Sequence, residues 1–506
     1  MQNIIEKYEE TCKSYKNKKA IIFKDENISY GNLLLRTKEI GSYLTNFVNN
    51  NEPVIVFMNK GIIAVESFLG VIYSGGCYSL VNPDFPRDRI LQIRDILNCR
   101  IILTTNETFE LANDVFDNCN IIKIEDIEGK IDEEKLNSIK NNKLDIDPVY
   151  INFTSGSTGI PKGVVVSNKS IIDFIDEFIK LFEINENDIV ANQAPFDFDV
   201  SVKDIYSCIF TGASLLIVPK EYFSNPSLLL DYITDNGATT LIWAVSALCL
   251  ITTFHGLDYK VPKDVNKVIF SGEVMPLKHL NMWMNKLKDA KFINVYGPTE
   301  ITCNCTYHII DRKREYIDSI PIGRSFKNEK VFLLDDNNNL VKKVNELGEI
   351  CVSGTCLSLG YYNNPEQNTK YFCQNPLNEM YYERIYRTGD FAKYNENYEL
   401  VFCGRKDYQI KHMGHRIELE GIDKELMKID GVNRTCTIFD EEKSKLYGFY
   451  VGAIDSKDLR QILTKHLPIY MIPNKLIQVE MFPLTKNGKI DRKKILSESK
   501  VTKNAV

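Results

Sequence analysis

The sequence predicts an α/β protein. Its parts are a large N-terminal core of mostly parallel sheets covered by helices, a small β-barrel-like unit, and a smaller α+β domain at the C-terminal end. Three observations carry this expectation. Apolar strand-like runs alternate with helical patterns through the first part of the chain, which favours parallel strands with crossover helices. Beyond about residue 320 the pattern changes to short strands separated by turns, as in an antiparallel unit. Finally, Gly404-Arg405-Lys406-Asp407 precedes a last segment with helices and strands of its own, and 506 residues exceed one ordinary domain.

The elements follow in order. Residues 53–58 read as strand and 63–74 as helix, then 100–104 and 120–124 as strands. Residues 149–153 form a short apolar strand before a loop rich in glycine and hydroxyl groups. Strand 214–218 precedes helix 228–236, and strand 239–244 follows. Strand 265–271 leads to helix 277–287, and strand 291–296 completes the series. Residues 331–335 and 348–352 are the short strands of the next unit. In the last segment, 417–429 and 455–466 read as helices, and 435–439 and 446–451 as strands. The expected divisions are residues 1–404, a connector at 405–408, and 409–506.

Composition excludes several classes. A hydrophobic content of 44% supplies a large core. The net charge of −6 argues against nucleic acid, whose phosphates need a basic face. The basic run at 489–494 is short enough to be a solvated face. Thirteen cysteines without a C-x-x-C pair read as reduced thiols, and Cys303 and Cys305 as alternating strand positions rather than metal ligands. The first ten residues lack the layout of a signal peptide, and no apolar run reaches the roughly 18 residues of a membrane span. A soluble cytoplasmic protein without nucleic-acid or membrane partners is expected.

The most informative stretch is Phe153-Thr154-Ser155-Gly156-Ser157-Thr158-Gly159-Ile160-Pro161-Lys162-Gly163. Small residues let backbone N–H groups turn toward an anion, glycine reaches positive φ at no steric cost, and Lys162 adds a point charge. The order differs from G-x-x-x-x-G-K-[ST], since Ser155 stands at the first glycine and Pro161 precedes the lysine. It resembles the phosphate loop of the adenylate-forming superfamily, which includes acyl-CoA synthetases, luciferases and amino-acid adenylation domains. Tyr296-Gly297-Pro298-Thr299-Glu300, Tyr386-Arg387-Thr388-Gly389-Asp390, Gly404-Arg405-Lys406-Asp407 and Asn487-Gly488-Lys489-Ile490-Asp491-Arg492 follow in that superfamily's order. Gly272-Glu273-Val274-Met275-Pro276 and residues 409–420 look most like D-alanine–carrier-protein ligases and stand-alone adenylation domains.

The resemblance implies a two-step reaction. A carboxylate attacks the α-phosphate of ATP, releasing pyrophosphate, and a thiol then attacks the acyl-adenylate. It assigns Thr154, Ser155, Gly156, Ser157, Thr158, Gly159 and Lys162 to the β- and γ-phosphates. Glu300 would hold Mg²⁺, and Thr299 would touch the α-phosphate. Gly272, Glu273, Val274, Asn294 and Tyr296 would form the adenine slot. Asp390 would accept the ribose hydroxyls with Arg405 as its partner. Lys489, from a mobile C-terminal lid, would bridge the substrate carboxylate and the α-phosphate, with Asp407 as the hinge. Without a covalent nucleophile, catalysis on this scheme comes from positioning and charge.

Phe198-Asp199-Val200-Ser201 matches the motif whose aspartate binds an α-ammonium, which favours an amino acid over a fatty or aryl acid; Asp197 is the rival and could cap the following helix. The side-chain pocket carried over comprises Val200, Lys203, Ala244, Ile269, Ser271, Val295, Gly297, Cys303 and Asn304. Lys203 either points inward, to recognise a carboxylate or polar side chain, or outward toward Asp204 or solvent, leaving a small pocket suited to alanine. Gly414-His415-Arg416-Ile417-Glu418-Leu419 matches the lid segment that faces the cleft during thiol transfer, and Gly421 departs from the family pattern. The expected function is ATP- and Mg²⁺-dependent activation of an amino acid, then loading onto the phosphopantetheine thiol of a separate carrier protein. D-alanine–carrier-protein ligase is the leading specific identity. An adenylation enzyme for another small or polar amino acid and an acyl- or aryl-CoA ligase are the alternatives.

Overall fold

The computed structural model describes residues 3–155, 160–317, 319–405, 409–441, 443–483, 490–492 and 494–496. The chain forms two compact units. The larger comprises Met1–Pro83, Arg94–Phe153 and Gly163–Lys406; the smaller comprises Asp84–Ile93, Thr154–Lys162 and Asp407–Val506.

Three sheets build the larger unit. In the nine-stranded sheet, Lys291–Tyr296, Lys267–Ser271, Thr240–Ala244, Ile189–Asn192, Ser214–Ile217 and Lys19–Phe23 run parallel in that spatial order. A second, seven-stranded sheet is centred on Cys77–Leu80, Pro53–Phe57 and Ile101–Thr104, again parallel. The expected strand and helix at 53–58 and 63–74 are Pro53–Phe57 and Ile62–Tyr73. Helix 228–236 begins earlier, at Pro226–Asp235, because Asn225 caps it and Pro226 opens its first turn.

The nine-stranded sheet is apolar on both faces, as a parallel sheet covered by helices must be. Leu241, Trp243, Val268, Phe270 and Phe292 pack into one core, and Ile242, Ile269, Ile293 and Val295 into the other. The second core receives the helix Val200–Thr211, whose residues from Val200 through Ile209 are all buried. A third sheet of six strands carries Glu329–Leu334, Leu347–Gly354, Arg384–Tyr394 and Leu400–Arg405, with every described pairing antiparallel. It is an open sheet rather than the barrel-like closure expected: its strands end at Leu340–Val341 and Phe372–Gln374, with Leu400–Arg405 branching from Arg384–Tyr394.

In the smaller unit, Gln409–His412 and His415–Glu418 form a hairpin turned by Met413 and Gly414, both at positive φ. The helix Leu419–Met427 packs over the antiparallel pair Val432–Asp440 and Lys445–Gly452. Gly421 is buried inside that helix.

Candidate active site

Ligands of open α/β sheets bind outside the carboxyl ends of the strands. Ala244, Ser271 and Tyr296 are the final residues of three adjacent parallel strands, with Ala244 in register with Ser271. Gly272, Glu273, Val274 and Gly297 lie just beyond these ends. Gly272 takes φ +97°, which an L residue rarely adopts, and this turns the chain away from the strand. Along Lys291–Tyr296 side chains alternate, so Asn294 and Tyr296 project opposite to Val295. Residues expected at the nucleotide and at the amino acid thus leave one strand on opposite faces.

Of the residues expected at the nucleotide, the structure brings Tyr296, Asp390 and Arg405 together. Asp390 and Arg405 are register partners on antiparallel strands, and the guanidinium pairs with Asp390 Oδ1. Tyr296 Oη donates to Asp390 Oδ2. Arg405 also donates to the Thr388 carbonyl at 3.2 Å. Burial, with the Asp390 charge beside it, pushes the Tyr296 hydroxyl well above its ordinary pKa, so it remains a donor. Asn294 donates to the Pro321 carbonyl at 2.9 Å, Glu273 is half-buried and Val274 is exposed. Thr299 and Glu300 are buried in a short 3-10 turn, where Glu300 Oε1 accepts from Tyr361 Oη at 2.7 Å. Tyr361 carried no signal in the sequence, since a tyrosine after a glycine has many uses.

The loop after Tyr296 is tightly folded on itself. A Cβ at Gly297 would sit 2.5 Å from Asn304 Cα and 2.7 Å from the Cys303 carbonyl oxygen, so only glycine lets these backbones meet. Thr302 and Cys303 both hold positive φ, at +54° and +83°. Such geometry is costly in non-glycine residues, above all a β-branched one, and clusters at functional sites. The hydrogen bond from Thr302 Oγ1 to the Cys356 carbonyl, at 2.7 Å, helps hold it. Cys303 and Cys305 therefore lie in this loop, ahead of the strand Thr306–Ile309, and not at alternating strand positions as expected.

Among the residues expected at the amino acid, Asp199 occupies the N-cap of Val200–Thr211, yet its side chain makes no capping hydrogen bond. Asp197 is two residues too early to cap this helix, which corrects that alternative. Asp199 is buried; burial first, then the charges of Asp199 and Cys303, raises the pKa of Tyr150, whose hydroxyl has no partner among the described residues. Val200, Ala244, Ile269, Ser271, Val295 and Cys303 are all buried.

Lys203 settles the choice left open by the sequence. It is 1% exposed, and its Nζ donates to Asn304 Oδ1 at 2.8 Å and to Ser271 Oγ at 3.4 Å. It points inward, between two residues expected in the pocket. Asp204, the outward partner considered, instead accepts from Asn192 Nδ2, and burial pushes its carboxyl up to about 7.

In the smaller unit, Thr154 ends the strand Pro148–Thr154, and Lys162, buried, begins Lys162–Ser167. Ser155 Oγ donates to the Arg416 carbonyl at 2.6 Å. Gly156, Ser157, Thr158, Gly159, Asp407 and Lys489 lie outside the described residues. Of the residues that follow Lys489 in its motif, Arg492 pairs with Asp423 at 3.1 Å, and Ile490 packs into an apolar cluster with Cys436 and Phe449.

Residues 8–362 match the model of the AMP-binding enzyme family. The chain is 30% identical to zwittermicin A synthase ZmaJ of Bacillus cereus over 507 aligned residues, covering 97% of this chain and 94% of that protein. The chain belongs to the AMP-binding enzyme family. Other curated relatives are longer than this AMP-binding enzyme, which spans 45% of one and 9% of another. Its fold matches the adenylation domain AlmE of Vibrio cholerae in complex with glycyl-adenosine-5'-phosphate, at 21% identity and TM-score 0.86 over 98% of both chains. It also matches PA1221, a nonribosomal peptide synthetase protein containing adenylation and carrier domains, at 22% identity and TM-score 0.85 over 98% of this chain and 84% of that one. No described helix is long and apolar enough to cross a membrane.

Proposed function

We propose that this AMP-binding enzyme activates an amino acid as its aminoacyl-adenylate, releasing pyrophosphate, and passes it to the phosphopantetheine thiol of a carrier protein. The observation that carries the reading is Asp199: a buried carboxylate at a helix start that is not used to cap that helix. A substrate α-ammonium is the kind of cation such a carboxylate binds. The nucleotide end supports it with the Tyr296–Asp390–Arg405 cluster.

On this reading the substrate carboxylate attacks the α-phosphate, forming the C–O–P linkage as the bond to the pyrophosphate oxygen breaks. Lys489 balances the charge that develops between them, in the manner of a preorganised cation. Thr299 orients the α-phosphate, and Thr154, Ser155, Gly156, Ser157, Thr158, Gly159 and Lys162 hold the leaving pyrophosphate. Asp390 and Arg405 fix the ribose, while Gly272, Glu273, Val274, Asn294 and Tyr296 enclose adenine. Glu300 suits Mg²⁺ arriving with ATP, since that ion takes few protein carboxylates and fills its shell with phosphate oxygens and water. Among the described residues no group of three or more His, Cys, Asp or Glu could hold a resident ion. Mg²⁺ would neutralise phosphate charge. Rotation about Asp407 would then bring residues 414–419 to the cleft for attack by the carrier thiol.

A carrier on a separate polypeptide, a cytoplasmic setting and the division at 405–408 belong to the same proposal. The inward Lys203 counts against D-alanine, whose methyl side chain gives an ammonium nothing to bind. The test is amino-acid-dependent ATP–pyrophosphate exchange with wild type and Asp199→Ala. Exchange with an amino acid that falls over 100-fold in the variant is expected, on the scale of an unpaired buried charge. Exchange only with a carboxylic acid lacking the amine, indifferent to Asp199→Ala, would favour an acyl- or aryl-CoA ligase.

A further inference from the structure

The Lys203 ammonium is almost wholly buried, yet both groups it meets are neutral: the Asn304 amide oxygen and the Ser271 hydroxyl. Among the described residues no carboxylate lies within ion-pair distance of it. Asp199 stands one helical turn earlier, at the i,i+4 spacing where opposite charges ordinarily pair. Lys203 turns from it toward Asn304, on the loop strained at Thr302 and Cys303. Asp204 is buried on Asn192 and makes no hydrogen bond or ion pair with Lys203, although the two charges act on each other, and Lys60 binds backbone carbonyls of Asn192, Gln193 and Val218. A structural role alone does not explain this arrangement, because a buried cation without a direct ion pair costs stability that an apolar residue of similar size would not.

We propose that the substrate is an α-amino acid whose side chain ends in a carboxylate, bound by the Lys203 ammonium, with Asn304 and Ser271 aiming that ammonium. The inference rests on the amino-acid-activating reading above and adds the class of side chain. One helix then presents an anion at its start and a cation one turn on, about 5–6 Å apart at Cβ. The substrate presents the complement: an α-ammonium for Asp199 and a side-chain carboxylate for Lys203. The Asn304 amide nitrogen makes no hydrogen bond among the described residues and can donate to the second carboxylate oxygen. A neutral amide side chain would satisfy hydrogen bonds but leave the cation uncompensated.

The experiment is ATP–pyrophosphate exchange with the whole chain over both enantiomers of aspartate, asparagine, glutamate, glutamine, alanine and serine, with β-alanine and acids lacking the amine. One acidic amino acid is expected to exceed its amide by about 100-fold or more in kcat/KM, because an unmatched buried polar group discriminates strongly. Lys203→Met should raise KM for that acid by roughly 100-fold, leave KM for ATP unchanged and reduce the acid-to-amide ratio to within about tenfold. Its urea midpoint should stay level or rise. Preference for alanine, serine or an amide would overturn the acidic side chain while leaving amino-acid activation standing. Exchange only with acids lacking the amine would overturn the underlying reading instead. If Lys203→Met does not fold, Lys203→Gln and the wild-type panel decide the question.

Discussion

The two ends of the site treat buried charge in opposite ways. At the nucleotide end Asp390 is already matched, by Arg405 on the neighbouring strand and by Tyr296. At the substrate end Lys203 is held by neutral groups, and Asp199 makes no cap. A matched pair can be shaped once and reused for any substrate that shares ATP. A cation hydrogen-bonded only to neutral partners is an incomplete arrangement, and on the proposal above its missing half is the ligand's carboxylate.

The largest effect should follow from breaking the matched pair. Asp390→Ala leaves the mostly buried Arg405 without its carboxylate, at a cost of about 3 kcal/mol or more, and removes the proposed ribose acceptor. Urea denaturation should show the loss, and KM for ATP should rise with it. The contrast with Lys203→Met, expected to cost no stability, is what distinguishes the two ends. Equal destabilisation by both changes would mean that Lys203 is a structural cation and that the comparison fails.

A second test uses pH at the substrate end. Burial raises the Asp204 carboxyl from 3.8 to about 7, against the opposing charges of Lys203 and Lys60. The folded state therefore keeps a proton that the unfolded chain releases between about pH 4 and 7. This contribution is present in full below pH 4, falls as pH rises and levels off above 7. Lys60, lowered from 10.5 to about 7 by burial, acts oppositely: above pH 7 the unfolded chain holds the extra proton, so stability rises toward pH 10. Asp204→Asn keeps an acceptor for Asn192 and removes the first slope. Relative to wild type it should gain about 2 kcal/mol between pH 5 and 7, by the linkage of one raised carboxyl. Urea midpoints at the two pH values check this, and a constant difference would show that Asp204 is ionised throughout.

What the sequence disclosed divides along the same line. Asp390, Arg405 and Glu300 sit in motifs with turns and glycines whose geometry is local, so the resemblance names them as site candidates from the order of residues. The direction of Lys203 was not. Val200–Thr211 is buried all round, so no apolar periodicity marks which face meets a ligand. Its partner Asn304 arrives on a loop bent at Thr302 and Cys303, where no glycine signals positive φ. The open six-stranded sheet departs from the expected closure for a related reason: short strands with turns fit closure or an open sheet equally, and only pairing between distant strands decides.

Tyr361 sharpens the comparison at its smallest scale. It lies outside every motif, yet its hydroxyl reaches Glu300 Oε1 at 2.7 Å, and both side chains are buried. If the nucleotide end is preorganised, this bond fixes where the carboxylate meets the metal that accompanies ATP. Tyr361→Phe removes one hydrogen bond to a charged group, worth about 1.5–3 kcal/mol. Part of that returns if Glu300 is free to meet the ion, so kcat for exchange should fall roughly tenfold, about 1.4 kcal/mol. KM for the amino acid should not move, because Tyr361 and Lys203 serve opposite ends. A Mg²⁺ titration of the exchange rate should require a higher concentration in the variant. An unchanged Mg²⁺ dependence with a lowered urea midpoint would reduce Tyr361 to a packing role and separate Glu300 from the metal.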